Sequence, residues 1–329
     1  MTRLISLAFS LLVLAVIYWK IDLRELIQVF QTCHGSWMLI SLGMVVPITM
    51  ITSWRLQQLM PDTRYPVSGI CNPLPLPILE ANQLILVAST LNMVLPSKMG
   101  DIAKAYFMRE RGHLSGSLAL SLVIFEKACD MLSLLLWCAF GLLLYPQKDW
   151  FFWGMTIAVT AGLATGGLLL GSSQFARLFF SVGQAISPKS VKAKLANLQT
   201  AWREMYDYFW GDRAQLLKIT VTSVFIWFLH LLQIWFFILA LNAWTPFIRN
   251  LALSPLAILA GLLPLTFAGV GTRDAALIWL YQPYFNAATA AALGVLCTSR
   301  YLIPAIAGLP FFNYYLVTLR RLKQGSGGR

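Results

Sequence analysis

The sequence predicts an all-α integral membrane protein, and three observations carry that prediction. Of 329 residues, 58% are hydrophobic and 12% are charged, with a mean hydropathy of +0.69, whereas a soluble domain carries roughly 25% charged residues. Several apolar stretches reach the about 20 residues that a helix needs to cross a hydrocarbon core of about 30 Å. Two further apolar stretches are broken by Pro and Gly at their centres and followed at once by charge. The expected architecture is about six full transmembrane helices plus two oppositely oriented re-entrant broken hairpins, arranged as an inverted repeat.

The same composition excludes a soluble enzyme, a disordered chain, a collagen-like fibre and a disulfide-stapled secreted domain, because 20 Phe, 12 Trp and 11 Tyr must be buried in protein or lipid. A net charge of +12 would suggest nucleic acid in a soluble chain, but basic cytoplasmic loops account for it here, and no nucleic-acid partner is expected. Cys33, Cys71, Cys129, Cys138 and Cys297 form no CxxC pair. Neither a disulfide framework nor a metal site follows from them.

In chain order, Leu4 to Trp19 is uncharged and follows Arg3; with no A-x-A cleavage site after it, it is expected to be a retained first helix. Ile21, Leu23, Leu26, Ile27 and Phe30 suggest a short amphipathic helix on the outer side. Ser36 to Trp54 is a span without charge, and the first broken segment runs Leu79 to Arg111 around Asn92-Met-Val-Leu-Pro-Ser-Lys-Met-Gly-Asp101. Gly116 to Leu144 is a span carrying three charges, and Trp150 to Ala176 is another carrying none. Val191, Leu195, Leu198, Trp202, Met205 and Phe209 alternate four and three apart, which predicts an amphipathic helix on the cytoplasmic surface, anchored beside anionic headgroups by Lys189, Lys192 and Lys194. Ile219 to Ile248 is the next uncharged span. The second broken segment runs Leu251 to Tyr284 around Leu263-Pro-Leu-Thr-Phe-Ala-Gly-Val-Gly-Thr-Arg-Asp274, and Tyr301 to Leu319 continues an apolar run that Arg300 interrupts.

Lys and Arg enrichment places residues 176–218, the tail with Arg320, Arg321 and Lys323, and Lys98 to Arg111 inside, and leaves the 145–149 connection outside. Alternating the spans from an inside start makes the first broken segment re-enter from the cytoplasm and the second from outside; arms that span fully would keep the motifs and change the crossing count. One polytopic domain is expected over 1–324, with a first repeat at about 36–146, a second at about 218–320, an amphipathic linker at about 176–217 and a tail at 325–329. The expected location is the plasma membrane, as in a prokaryotic inner membrane.

Glu126, Lys127 and Asp130 sit in an otherwise apolar helix, ten to fourteen residues from Gly116, which at 1.5 Å per residue is roughly 15–20 Å deep. Each such charge costs about 2.5–3.5 kcal/mol on insertion scales, so it marks a functional site by default. Lys127 and Asp130 are three apart and can pair, leaving Glu126 in need of a partner or a proton. Candidate partners are Arg273, Asp274 and Arg300 on one side and Lys98 and Asp101 on the other. In the broken segments, Gly100, Gly269 and Gly271 would permit turns at φ > 0 and leave N–H groups exposed at helix N-termini, favouring a phosphate. Asn92 either caps a freed backbone group or meets a headgroup. His34, His113 and His230 are isolated, and neither a Rossmann fingerprint nor a hydrolase or metalloprotease motif occurs, so catalytic machinery, cofactor and metal are not expected.

On Asn92, Leu95, Pro96, Gly100 and Asp101, then Glu126, Lys127 and Asp130, then Gly269, Gly271, Arg273 and Asp274, the chain resembles the lysylphosphatidylglycerol synthase transmembrane-region family, and Thr272 joins these residues as a substrate-binding candidate. That family includes the flippase half of the multiple peptide resistance factor proteins, and the resemblance implies lipid translocation. Lys127 replaces a usual Arg, Asp274 a usual Glu, and Phe267-Ala268 a more Gly-rich approach. With no aminoacyltransferase region after the last span, the chain is not expected to lysylate a lipid itself. The leading expectation is a translocase for an anionic or modified phospholipid or a polyprenyl-phosphate-linked lipid, its headgroup passing a polar cavity bounded by the two broken segments. Lys98, Arg273 and Arg300 would bind phosphate, and Glu126 and Asp130 would engage a cationic or sugar headgroup or carry a proton. A lipid-presenting accessory subunit of a membrane glycosyltransferase and an intramembrane transferase stay open as alternatives. Membrane lipid, a membrane glycosyltransferase and a second copy of the chain are the candidate partners.

Overall fold

The computed structural model describes residues 23–60, 76–94, 99–110, 114, 116–145, 148–262 and 271–325. Every regular element among them is an α-helix. Five helices are long and apolar enough to cross a bilayer: Gly35–Leu59, Leu118–Leu144, Trp150–Gly171, Arg213–Ala240 and Ala287–Asn313. The expected first span, Leu4 to Trp19, lies outside the described residues.

α1 (Leu23–Gln31) is the short amphipathic helix, and α2 (Gly35–Gly43) and α3 (Val45–Leu59) together make the first described span. Pro47 has no N–H to give to the Gly43 carbonyl and its ring crowds that carbonyl, which accounts for the interruption at Met44. The ladder resumes with the Ile48 N–H on the Met44 carbonyl at 3.2 Å. The first broken segment forms α4 (Ile78–Val94) and α5 (Met99–Glu110), followed by α6 (Gly116–Leu144) and α7 (Trp150–Gly171). Next come α8 (Ser173–Ile186), α9 (Lys189–Gly211) and α10 (Arg213–Ala240). The second broken segment forms α11 (Phe247–Gly261) and α12 (Thr272–Tyr281), and α13 (Ala287–Gly325) closes the chain as one helix through Arg300.

Two spans end earlier than their apolar runs. The run to Ile248 stops at Ala240, because Asn242 takes a left-handed φ of 54°. There the Asn242 N–H reaches the Leu239 carbonyl and the Ala243 N–H the Ile238 carbonyl, both at 3.1 Å, the paired closure that satisfies the last carbonyls of a helix. The run to Ala176 stops at Gly171: Ser172 is extended, and its hydroxyl accepts the Phe175 N–H at 3.2 Å, starting α8 as a new helix.

The chain divides into two compact units, one of residues 1–48, 131–164 and 224–300, the other of residues 49–130, 165–223 and 301–329. Each is assembled from separated stretches, since α3, α6, α7, α10 and α13 contribute residues to both. The first unit packs around Leu134, Leu231, Phe237, Leu256, Leu277 and Tyr281, the second around Leu56, Leu84, Met108, Leu122, Phe125 and Phe209.

The same packing rule recurs within each unit. In the second unit, α4 lies against α13 at Gly308, where a Cβ would run into the Leu86 carbonyl and the Thr90 hydroxyl. Thr90 Oγ1 there donates to the Ala305 carbonyl at 2.7 Å. In the first unit, α11 lies against α6 at Gly141, where a Cβ would run into the Ala252 carbonyl, and Arg249 caps the Leu144 carbonyl at the end of α6 at 2.7 Å. Thus the first arms pack as α4 on α13 and α11 on α6. The second arms turn instead to the helix that follows them in the chain, α5 to α6 and α12 to α13, and those contacts carry the charges.

Candidate functional site

In the second unit, six ionisable side chains from three helices meet. Arg55 on α3 is 1% exposed; it reaches Glu126 Oε1 at 3.1 Å, pairs with Asp130 and donates to Ser223 Oγ at 2.9 Å. Lys104 on α5 pairs with the other carboxylate oxygen of Glu126. Lys127 bridges Asp101 at 3.3 Å and Asp130 at 3.7 Å, and its side chain is 44% exposed. Among the described residues, three cations thus face three carboxylates in two tiers: a buried inner one of Arg55, Lys104 and Glu126, and an outer one of Asp101, Lys127 and Asp130 that reaches the surface of the unit.

This arrangement corrects one sequence expectation. Glu126 does not wait for Arg273, Arg300 or a proton, because Arg55 and Lys104 already hold it. The network meets α6 in its first half and at its middle, and α3 near its end. Arg55 is four residues from the end of α3, about 6 Å along the axis, and the neighbouring Trp54 ring lies under Lys218 Nζ at 5.2 Å, a pairing typical of the headgroup boundary.

The second arm is held at its start by Asn92 on α4, whose Oδ1 accepts the Gly100 N–H at 2.9 Å. Gly100 is required for space: a Cβ there would strike the Ala88 carbonyl. Its φ is not positive, and its N–H is occupied, contrary to the expectation of a free turn amide. Pro96 and Lys98 lie outside the described residues.

In the first unit, the corresponding start of α12 is built differently. Gly271 takes φ 103°, the one glycine among the described residues with positive φ, and its N–H is accepted by Asp274 Oδ2 at 3.0 Å. The other carboxylate oxygen of Asp274 accepts from Arg273 Nη2 at 2.8 Å. The same nitrogen reaches the Gly294 carbonyl at 2.9 Å and Thr298 Oγ1 at 2.8 Å on α13. Gly294 makes room, since a Cβ there would lie 2.6 Å from Asp274 Oδ1. Arg273, read from sequence as a phosphate ligand, is therefore engaged as a clasp between α12 and α13. Thr272 opens α12, Arg300 is buried further along α13, and Gly269 lies outside the described residues.

Helices this polar at their breaks, inside an otherwise apolar all-helical chain, can be compared with known families. The model of the family described as the lysylphosphatidylglycerol synthase TM region matches residues 3–308. The chain belongs to that family. Among its relatives is the UPF0104 membrane protein MJ1595 of Methanocaldococcus jannaschii, 22% identical over 321 residues that cover 92% of each chain. A second protein of that organism, the UPF0104 membrane protein MJ1078, is 24% identical over 204 residues, covering 58% of this chain and 79% of its own. Membership of the lysylphosphatidylglycerol synthase TM region family agrees with a multi-pass membrane protein and suggests a lipid-related role.

For this family member, sequence reasoning missed Arg55 and Lys104. Arg55 falls one residue past the uncharged run ending at Trp54, so a span closed at its first charge leaves it outside; the helix continues to Leu59, with Leu56 and Leu59 fully packed. Charge counting held the signal. Asp101, Glu126 and Asp130 against Lys127 alone leave two buried carboxylates to neutralise, and Arg55 and Lys104 are the cations that flank the same apolar segments.

Proposed function

We propose that this chain is a lipid translocase of the plasma membrane, moving the headgroup of an anionic or modified phospholipid, or of a polyprenyl-phosphate-linked lipid, between leaflets without chemical change. The two broken segments act as re-entrant hairpins: their arms of 17, 12, 15 and 10 residues are at most about 26 Å long, short of the about 30 Å core. One observation carries the reading, namely the balanced two-tier ion network of the second unit. Burying ionised groups in the membrane region is costly, and replacing a buried ion pair by apolar side chains is often neutral or stabilising. A network kept under that cost suits a polar cargo. The outer tier has the exchangeable partners: Lys127 can release a carboxylate to take a phosphate oxygen, and Asp101 or Asp130 can then take an ammonium or hydroxyl of the same headgroup.

Eighteen of the 25 Lys and Arg residues fall in the stretches of the second unit, which supports a cytoplasmic placement for this entry point. The test is headgroup exposure in proteoliposomes containing phosphatidylglycerol. Lys127→Gln and Asp130→Asn, checked for unchanged melting, are expected to slow transfer about tenfold, the equivalent of about 1.4 kcal/mol. Transfer at the parent rate in both folded variants would remove the network from the mechanism.

A further inference from the structure

The segment after α7 carries an exposed apolar arc that is separate from the ion network. From sequence, α9 is the surface helix. In the structure two members of its apolar face are covered by protein: Trp202 and Phe209 are buried, Phe209 stacks on Phe125 with centroids 3.9 Å apart, and Trp202 meets Phe180 of α8 at 6.2 Å. The indole N–H groups of Trp202 and Trp210 donate to the Leu169 and Leu170 carbonyls at 3.1 and 2.7 Å, closing the end of α7.

The uncovered face belongs to α8. Leu178, Phe179, Val182 and Ile186 are 60, 48, 48 and 80% exposed, and at 3.6 residues per turn they fall within an arc of about 100°. Ala176 and Phe180 are buried on a second arc, toward α9. Arg177, Ser181 and Gln184 occupy a third, with Gln184 bonded to Gln199 of α9 at 2.8 Å. A helix with one arc on protein, one polar and one bare and apolar has the composition of an in-plane interfacial helix.

Two further features of the second unit identify the occupant as a bilayer surface and give its charge. Ser172 alone separates α8 from the end of span α7, so α8 begins where that span would leave the hydrocarbon. From α8 to the start of α10 the exposed charged side chains among the described residues are mainly cationic, Arg177, Lys192, Arg203, Arg213 and Lys218 against Asp207 and Asp212. We propose that α8 lies in the cytoplasmic leaflet boundary, with Leu178, Phe179, Val182 and Ile186 among the acyl chains and Arg177, Lys192 and Arg203 on the phosphates of anionic phospholipids.

The test uses the full chain in vesicles of equal phosphatidylglycerol and phosphatidylcholine, each doped in turn with a trace of the same lipid bearing an acyl-chain diazirine. Adducts are mapped by peptide mass spectrometry. Adducts are expected on Leu178, Phe179, Val182 and Ile186, and those from phosphatidylglycerol should exceed those from phosphatidylcholine about fivefold, falling to parity in the Arg177→Gln, Lys192→Gln, Arg203→Gln variant. Ile157 of α7, 68% exposed, should label throughout as the internal standard. An unlabelled α8 beside a labelled Ile157 would mean that protein or water covers this arc and would overturn the proposal. Parity in the parent protein, or an undiminished preference in the triple variant, would do the same. Labelling needs no transport, so its outcome is independent of the translocase reading.

Discussion

Replacing Arg55 by Met keeps an unbranched apolar stem and removes one buried cation, and the network then predicts which carboxylate suffers. Glu126 keeps Lys104. Among the described residues Asp130 keeps Lys127 as its cation, at 3.7 Å and on a half-exposed side chain, so Asp130 is the group left poorly paired. Removing one member of a buried pair costs about 3–5 kcal/mol. Because the Asp130 side chain is 23% exposed, it recovers some hydration, which puts the expected loss for Arg55→Met near the lower end, about 3 kcal/mol. The double variant Arg55→Met/Asp130→Asn removes the orphaned charge and should recover about half of that loss, a non-additivity a double-mutant cycle reads directly. Arg55→Met/Glu126→Gln should recover nothing, since it strips Lys104 of its acceptor and leaves Asp130 as it was. The assay is the unfolding midpoint of the detergent-solubilised full chain, followed by tryptophan fluorescence. A rescue by Glu126→Gln equal to or greater than that by Asp130→Asn would show that the pairing is not the one described.

Three more outcomes follow from the packing. Gly271→Ala forces an L side chain to φ 103° and should lower stability by about 1–2 kcal/mol, with the melting midpoint as the readout. Gly141→Leu and Gly308→Leu each place a side chain against a backbone carbonyl and should cost about 1–3 kcal/mol or more, whereas Gly154→Leu, with open space around it, should stay within about 0.5 kcal/mol of the parent; equal midpoints for all three would contradict the interlocked packing. Trp202→Phe keeps the ring and loses the donor to Leu169, so hydrogen exchange should quicken over the last turn of α7 by about fivefold, the equivalent of about 1 kcal/mol, while α10 exchanges as before.

Much of the fold is legible from apolar run length, because a bilayer sets a length that a run either reaches or does not. What run length cannot show is where a helix stops inside an apolar run. Asn242 in the left-handed region and the Ser172 hydroxyl end two runs through backbone hydrogen bonding alone, with no change in hydropathy to signal them. The charges on α6 were legible for the opposite reason: ionised groups amid Leu, Phe and Cys stand out. Arg55 was hidden because it sits where a run ends and a charge is ordinary, and only the need to neutralise Glu126 and Asp130 distinguishes it from a loop arginine. The apolar face of α9 is legible as a face but not what lies against it, since periodicity tells that a side is covered but not by what; Phe125 and Phe180 meet its Phe209 and Trp202.

The two broken segments solve one problem in two ways, and the difference bears on where a ligand can be held. A helix that restarts after a break has N–H groups without internal partners. α5 meets this with Asn92 from the facing arm, and α12 with its own Asp274. In α5 the arm's own acid at the same helical position, Asp101, is thereby released to meet Lys127 on α6, and the next turn supplies Lys104 to Glu126. In α12 the acid is consumed by the cap, and Arg273 is consumed in turn by that acid and by Gly294 and Thr298. The first break thus keeps partly exposed ionic groups that can change partners, and the second spends its own on closing itself. If transport depends on partner exchange, Asp101→Asn should slow it with little change in melting, and Asp274→Asn should lower melting before transport is affected; the reverse order would assign the exchangeable site to the second break.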